Sequence, residues 1–71
     1  MIIYKREMTL EDIANLDEDE ELIYYMADNI AITINKSNNQ YIVRKKQISD
    51  NELIEEAFLN TIDEIMNFIK T

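Results

Sequence analysis

The run Ile30-Ala31-Ile32-Thr33-Ile34-Asn35 constrains the fold of this chain most, because large apolar residues alternate with small or polar ones at the period of a half-buried β-strand. Ser37-Asn38-Asn39-Gln40 follows, and asparagine tolerates the positive φ of a tight turn. Residues 41–47 then return as a second strand. With Asn38 and Asn39 at the centre of the turn, Ile34 stands opposite Val43, Lys36 opposite Tyr41 and Ile32 opposite Lys45. This register places Ile30, Ile32, Ile34, Tyr41 and Val43 on a core face and Thr33, Ile42, Arg44 and Lys46 on the other, and a slip of one residue would invert it. Such a face needs a cover.

The last third of the chain supplies the expected cover. Ser49-Asp50-Asn51-Glu52 fits a capping box, and Ile48 and Leu53 stand where a hydrophobic staple would place them. Leu53, Ile54, Ala57, Phe58, Thr61, Ile62, Ile65, Met66, Phe68 and Ile69 recur at steps of three and four, which predicts one long amphipathic helix over residues 48–71. Its opposite side would carry Glu52, Glu56, Asn60, Asp63 and Asn67, flanked by Glu55 and Glu64.

Ahead of the hairpin, residues 1–6 read as a short edge strand with Ile2 and Tyr4 on one face and Ile3 and Lys5 on the other. Thr9 caps a short helix from Leu10 to about Leu16, with Met8 placed to staple to Ile13. Thr9-Leu10-Glu11-Asp12-Ile13-Ala14 looks like the first helix of a helix-turn-helix, but five consecutive acids follow where that motif needs a second helix able to approach phosphates. Leu22-Ile23-Tyr24-Tyr25-Met26 fits either a second helix or a buried strand. The strand has a small advantage, since Asp28-Asn29 then forms a two-residue turn into Ile30.

The expected fold class is therefore α+β: one compact domain over residues 1–71, with a small antiparallel sheet of three to four strands packed against a long C-terminal helix, and a short N-terminal helix. At this length a single core is marginal, and cysteine is absent, so no disulfide can support it. No apolar run reaches membrane-spanning length and no signal-peptide pattern opens the chain, so a soluble protein of the bacterial cytoplasm is expected, without membrane partners. Thirteen isoleucines and eight asparagines with no Gly or Pro suggest AT-rich coding DNA, hence a low-GC bacterium or its phage.

Charge narrows the function. The net charge is −8, and residues 1–28, 29–47 and 48–71 contribute −7, +4 and −5. Such a field repels nucleic acid and attracts basic proteins. An enzyme is not expected: Cys and His are absent, and a chain this small has little room for a cleft holding paired carboxylates. No cofactor motif is present. Asp17-Glu18-Asp19-Glu20-Glu21 has the alternating oxygens of a calcium loop but lacks its central glycine and its twelfth-position glutamate, so weak, nonspecific cation binding is the most it implies. Tyr24, Tyr25 and Tyr41 are candidate interface anchors, though core or strand-surface positions suit at least two of them.

On the expected helix, Asp50, Glu52, Glu55, Glu56, Asp63 and Glu64 would span roughly 21 Å at about 1.5 Å per residue. Roughly 3.5 Å per charge approximates the ~3.4 Å spacing along a DNA strand. From Ile30 onward, the Ile30-Ala31-Ile32-Thr33-Ile34 strand, the Asn38-Asn39 turn, Tyr41-Ile42-Val43 and the acidic segment from Ser49 resemble the hairpin-then-acidic-helix layout of small phage-encoded anti-CRISPR proteins. What the resemblance implies is inhibition of an RNA-guided nuclease by competition with DNA for its PAM-reading or DNA-binding surface. Charge placement nominates Asp17, Glu18, Asp19, Glu20, Glu21, Glu52, Glu55, Glu56, Asp63 and Glu64 as partner-binding residues for a basic protein. The alternative is a structural or regulatory interaction protein that homodimerises, or binds a protein, through apolar contacts.

Overall fold

The computed structural model describes residues 1–7 and 9–70. The elements in order are β1 (Ile2–Lys5), α1 (Leu10–Ala14), β2 (Glu21–Ala27), β3 (Ile30–Ser37), β4 (Gln40–Gln47), β5 (Leu53–Leu59) and α2 (Ile62–Lys70). All five strands form one sheet in sequence order, with β1 parallel to β2 and every other neighbouring pair antiparallel.

Local chemistry accounts for most of these elements. A parallel β1–β2 pair needs a crossover of a dozen or more residues, and residues 6–20 provide it with α1 inside. Thr9 caps α1 in a full capping box: its hydroxyl accepts from the Asp12 N–H at 3.3 Å, and its own N–H donates to the Asp12 carboxylate at 3.0 Å. The expected Met8–Ile13 staple lies outside the described residues. With no glycine in the chain, the described residues at positive φ are Asn29, Asn38, Asn39 and Asn51, each at a strand connection where asparagine best accepts the left-handed region.

The hairpin forms in the expected register, with Ile34 opposite Val43, Lys36 opposite Tyr41 and Ile32 opposite Lys45. Residues 22–26 take the strand alternative, and Asp28-Asn29 makes the turn that follows. Because a strand follows α1, the helix-turn-helix alternative is excluded by the topology as well as by charge.

The expected fold is overturned at the C-terminal third. There is no long helix: residues 53–59 are a fifth strand, and the helix is confined to nine residues, so the sheet has five strands in a mixed arrangement. Strand pairing outweighed local helix preference. Against β4, the segment places Glu55 opposite Lys45, Glu56 opposite Arg44, Ala57 opposite Val43, Phe58 opposite Ile42 and Leu59 opposite Tyr41, matching charge with charge and apolar with apolar. One residue is skipped between Glu55 and Leu53, which makes Ile54 a bulge.

The Ser49 capping box does not form. Ser49 instead ties the β4–β5 loop to the β2–β3 turn, its N–H donating to Asn29 Oδ1 at 2.8 Å and its hydroxyl accepting from Asn29 Nδ2 at 3.1 Å. Ile48 and Leu53, the expected staple, are both about half exposed. The capping box that does form is Thr61-Ile62-Asp63-Glu64, with Glu64 N–H donating to Thr61 Oγ1 and Thr61 N–H to Glu64 Oε1.

Both helices lie on one side of the sheet and share its core. Ile13 and Leu16 from the α1 region, Leu22, Ile32, Ile34, Tyr41 and Val43 from the strands, and Ile65 from α2 form a single buried cluster. Ile3, Tyr24, Leu59, Ile62 and Met66 pack around it. This is a two-layer fold with one helix-covered sheet face and one open face.

Candidate functional site

Strand directions sort the acids into groups that linear order does not show. β2 begins where β3 ends, with Glu21 opposite Asn35, and β5 ends where β4 begins, with Leu59 opposite Tyr41. The loop before β2, the β3–β4 turn and the start of α2 therefore share one end of the sheet. A hydrogen bond from Asn38 N–H to Glu18 Oε1 at 3.3 Å ties the first two together. Asp17, Glu18, Asp19, Glu20 and Glu21 thus stand at the same end as Asp63 and Glu64. Seven carboxylates meet Lys36 and the Met1 amine there, the latter donating to the Asp19 carbonyl at 2.9 Å. Counting side chains alone, as the −8 does, seven acids less Lys36 leave −6 at this end, and the Met1 amine brings the sum to −5.

The other nominated residues do not join them. Glu52 lies in the β4–β5 loop at the opposite end of the sheet. Glu55 and Glu56 fall on opposite faces of β5: Glu55 shares the helix-covered face with Ile32 and Lys45, and Glu56 forms an ion pair with Arg44 on the open face. The evenly spaced row of helical carboxylates is therefore dissolved, and with it the match to the DNA charge spacing. Residues 53–59 advance as a strand, at about 3.3 Å per residue and with alternating side chains.

Several acids have local structural work. Glu20 accepts from the Asp17 N–H at 2.9 Å, and Glu64 accepts from the Asn60 and Thr61 N–H groups at the start of α2. Asp17, Asp19 and Asp63 are exposed. At the other end of the crossover, Asp12 is held below the usual aspartate range, first by the Thr9 backbone N–H and against the cost of its own burial, with further help from the Thr9 hydroxyl and from Lys5 at 3.4 Å. No group of three or more potential metal-ligating side chains comes together among the described residues.

The open sheet face is the second notable surface. Ile2, Tyr4, Tyr25 and Phe58 are each 40–59 % exposed on it. The Tyr4 and Tyr25 rings stack with centroids 6.0 Å apart and planes within 7°. Of the three tyrosines considered as anchors, Tyr41 is buried and Tyr24 packs against the core, which leaves Tyr25 for the surface. Helical spacing puts Phe58 on the apolar, core-facing side; as part of β5, the alternation Glu56-Ala57-Phe58 sends it to the open face, where it is 57 % exposed. No described helix is long and apolar enough to cross a membrane.

No family model matches this chain, and no curated protein or solved structure matches it at a significant level.

Proposed function

We propose that this chain is a small non-enzymatic protein-binding module that presents the acidic end of its sheet to a basic partner surface, of the kind a nucleic-acid-binding protein or an RNA-guided nuclease offers to DNA. The supporting observation is the convergence of residues 17–21 with Asp63 and Glu64, two segments more than 40 residues apart in sequence, on one end of the fold. A field so one-sided orients an approaching cation-rich surface and speeds its encounter, and both effects weaken as salt screens them. The binding residues on this reading are Asp17, Glu18, Asp19, Glu20, Glu21, Asp63 and Glu64. Glu52, Glu55 and Glu56 fall outside the set.

Displacement of DNA from an RNA-guided nuclease or another basic DNA-binding protein tests the reading. The wild-type chain is expected to displace DNA at low salt, and reversal of Asp17, Asp19 and Asp63 to Lys to lower the apparent affinity at least tenfold. Glu52→Lys, at the far end, should leave it within about twofold, since charges beyond about 10 Å are largely screened near 0.1 M salt. Equal losses in both variants, or none in either, would refute an end-directed interaction.

A further inference from the structure

The two edges of the sheet carry an inference independent of the acidic end. β1 and β5 each pair on one side only, and no described strand lies on the other. A strand edge offers unpaired N–H and C=O groups, and the side chains beside them decide what can add to it. β4 shows what β5 accepts, since Ile42 lies opposite Phe58, Val43 opposite Ala57, Arg44 opposite Glu56 and Lys45 opposite Glu55. β1 and the residue after it carry nearly the same series, Ile2-Ile3-Tyr4-Lys5-Arg6 against Ile42-Val43-Arg44-Lys45-Lys46. Only Tyr4 departs in kind.

We propose that β1 of one copy adds to the β5 edge of another, antiparallel and head to tail, with Ile2 opposite Phe58, Ile3 opposite Ala57, Tyr4 opposite Glu56 and Lys5 opposite Glu55. β1 and β5 run in opposite directions, so a copy shifted sideways by one sheet width sets its β1 antiparallel to the β5 it meets. The side chains fall on matching faces: Ile2, Tyr4, Glu56 and Phe58 on the open one, Ile3, Lys5, Glu55 and Ala57 on the covered one. The seam gives Lys5 to Glu55, whose carboxylate has no partner among the described residues. Arg6, likewise without a described partner, reaches the end of the sheet that holds Glu52.

The backbones are in step as well. Asn38 and Asn39, both at positive φ, form a two-residue hairpin turn in which Ser37 and Gln40 exchange their hydrogen bonds. Alternation from there turns Val43 and Lys45 toward β5, hence Ala57 and Glu55 toward β4, and leaves the N–H and C=O groups of Glu56 and Phe58 pointing out of the sheet. At the other edge the Met1 carbonyl accepts from Glu21 N–H at 2.9 Å, which turns Ile3 and Lys5 toward β2 and Ile2 and Tyr4 outward. The free groups of one edge therefore meet those of the other.

Charge selects this pairing over its alternative. Two β5 edges would set Glu56 against its own mate, or Glu55 and Glu56 against Leu59 and Phe58. A β1-on-β5 contact is heterologous, so each assembly keeps one free edge of each kind and addition continues past two copies. Only Ile2 with Phe58 and Tyr4 with Glu56 form hydrogen-bonded pairs, so each seam is weak and growth needs high concentration. It also needs salt. Copies lie roughly 24 Å apart, five strands at about 4.8 Å, which sets their acidic ends within the ~30 Å Debye length of 0.01 M salt and well beyond the ~8 Å of 0.15 M.

Sedimentation equilibrium of the full chain, from about 10 μM to about 1 mM, tests the proposal. In about 0.15 M NaCl the weight-average mass should rise from 8.5 kDa past twice that value without a plateau, and in about 0.01 M the rise should be lost. This salt response is opposite in sign to that of a contact made through the acidic end, so the two readings fail separately. Lys5→Glu and Glu55→Lys should each keep the circular dichroism spectrum and weaken association at least tenfold. Glu55→Lys replaces an acid by a base and so takes the net charge from −8 to −6, and mere relief of repulsion would strengthen association instead. An equimolar mixture of the two variants should regain growth, because the β1 of each then meets a β5 of opposite charge. A wild-type mass of 8.5 kDa throughout, or a plateau at the dimer, would overturn the proposal. So would growth that survives either reversal, or a mixture that fails to restore it.

Discussion

The two faces of the sheet come from the same strands and differ in almost every physical respect. On the helix-covered side Ile32, Ile34 and Val43 are fully buried, and the residues around them come from β1, α1, β2, β4, β5 and α2. On the open side the small central residues Ala31 and Thr33 are buried, Ile42 and Arg44 are half-buried, and at the two sheet edges Tyr4 and Phe58 are more than half exposed. A β-strand assigns its faces by parity alone. What each face becomes is decided by where the helices fall, and both fall on one side.

Side-chain truncation should show the contrast most strongly. Ile34→Ala removes three buried carbons from the centre of the covered face and is expected to cost about 3 kcal/mol, a large share of the stability of a domain this small. Phe58→Ala removes a larger side chain from the open face and should change the stability of the dilute monomer by less than about 1 kcal/mol. Urea unfolding of both variants at low protein concentration makes the comparison. Comparable losses would mean that the open face is covered in the free chain.

A smaller effect separates the two C-terminal Ser/Thr-x-x-Glu segments, at Thr61 and at Ser49. Thr61→Ala should destabilise by about 1 kcal/mol, because it removes the acceptor for Glu64 N–H at the start of α2. In Ser49→Ala the Ser49 N–H still donates to Asn29 Oδ1 and only the bond between the Ser49 hydroxyl and Asn29 Nδ2 is lost, so the expected change is about half as large. The reverse order, in thermal or urea melts, would restore the helix expected from residue 49 onward.

These pairs show which parts of the architecture were legible in the sequence. Elements with a local signature were: the Ile30-Ile32-Ile34 alternation, the Asn38-Asn39 turn, the Thr9 cap, and the Asp28-Asn29 turn that favoured a strand for Leu22 to Met26. Each is written within a few residues. The fifth strand was not. Leu53-Ile54-Glu55-Glu56-Ala57-Phe58-Leu59 contains good helix formers, and its apolar residues continue, by spacing, into the true helical series Ile62, Ile65, Met66 and Ile69. The competing signal was non-local. β4 had an unpaired edge whose Lys45, Arg44 and Val43 match Glu55, Glu56 and Ala57. Of the two Ser/Thr-x-x-Glu matches, Thr61 starts the helix, a dozen residues beyond Ser49.

The candidate site changes for the same physical reason. Acids read along one helix were expected to form a single row, but the strand divides Glu55 from Glu56 across the sheet and leaves Glu52 at the far end. The gathering of residues 17–21 with Asp63 and Glu64 depends on strand directions, which no single segment records. Nor did helical spacing reveal the exposed aromatics. The alternation of residues 1–6 puts Ile2 and Tyr4 on one face, and Phe58 shares that face, at the opposite sheet edge, only because residues 53–59 form β5.

Everything functional in this account therefore rests on residues 53–59 being a strand, and solution NMR tests that most directly. Cross-strand contacts between the backbones of Val43 and Ala57 and of Tyr41 and Leu59 are expected, with extended-chain couplings from Leu53 to Leu59 and helical amide-to-amide contacts beginning only at Ile62. Continuous helical contacts from Glu52 through Ile62, with no contact between Val43 and Ala57, would contradict it. That result would return Phe58 to a helix and remove it from the open face.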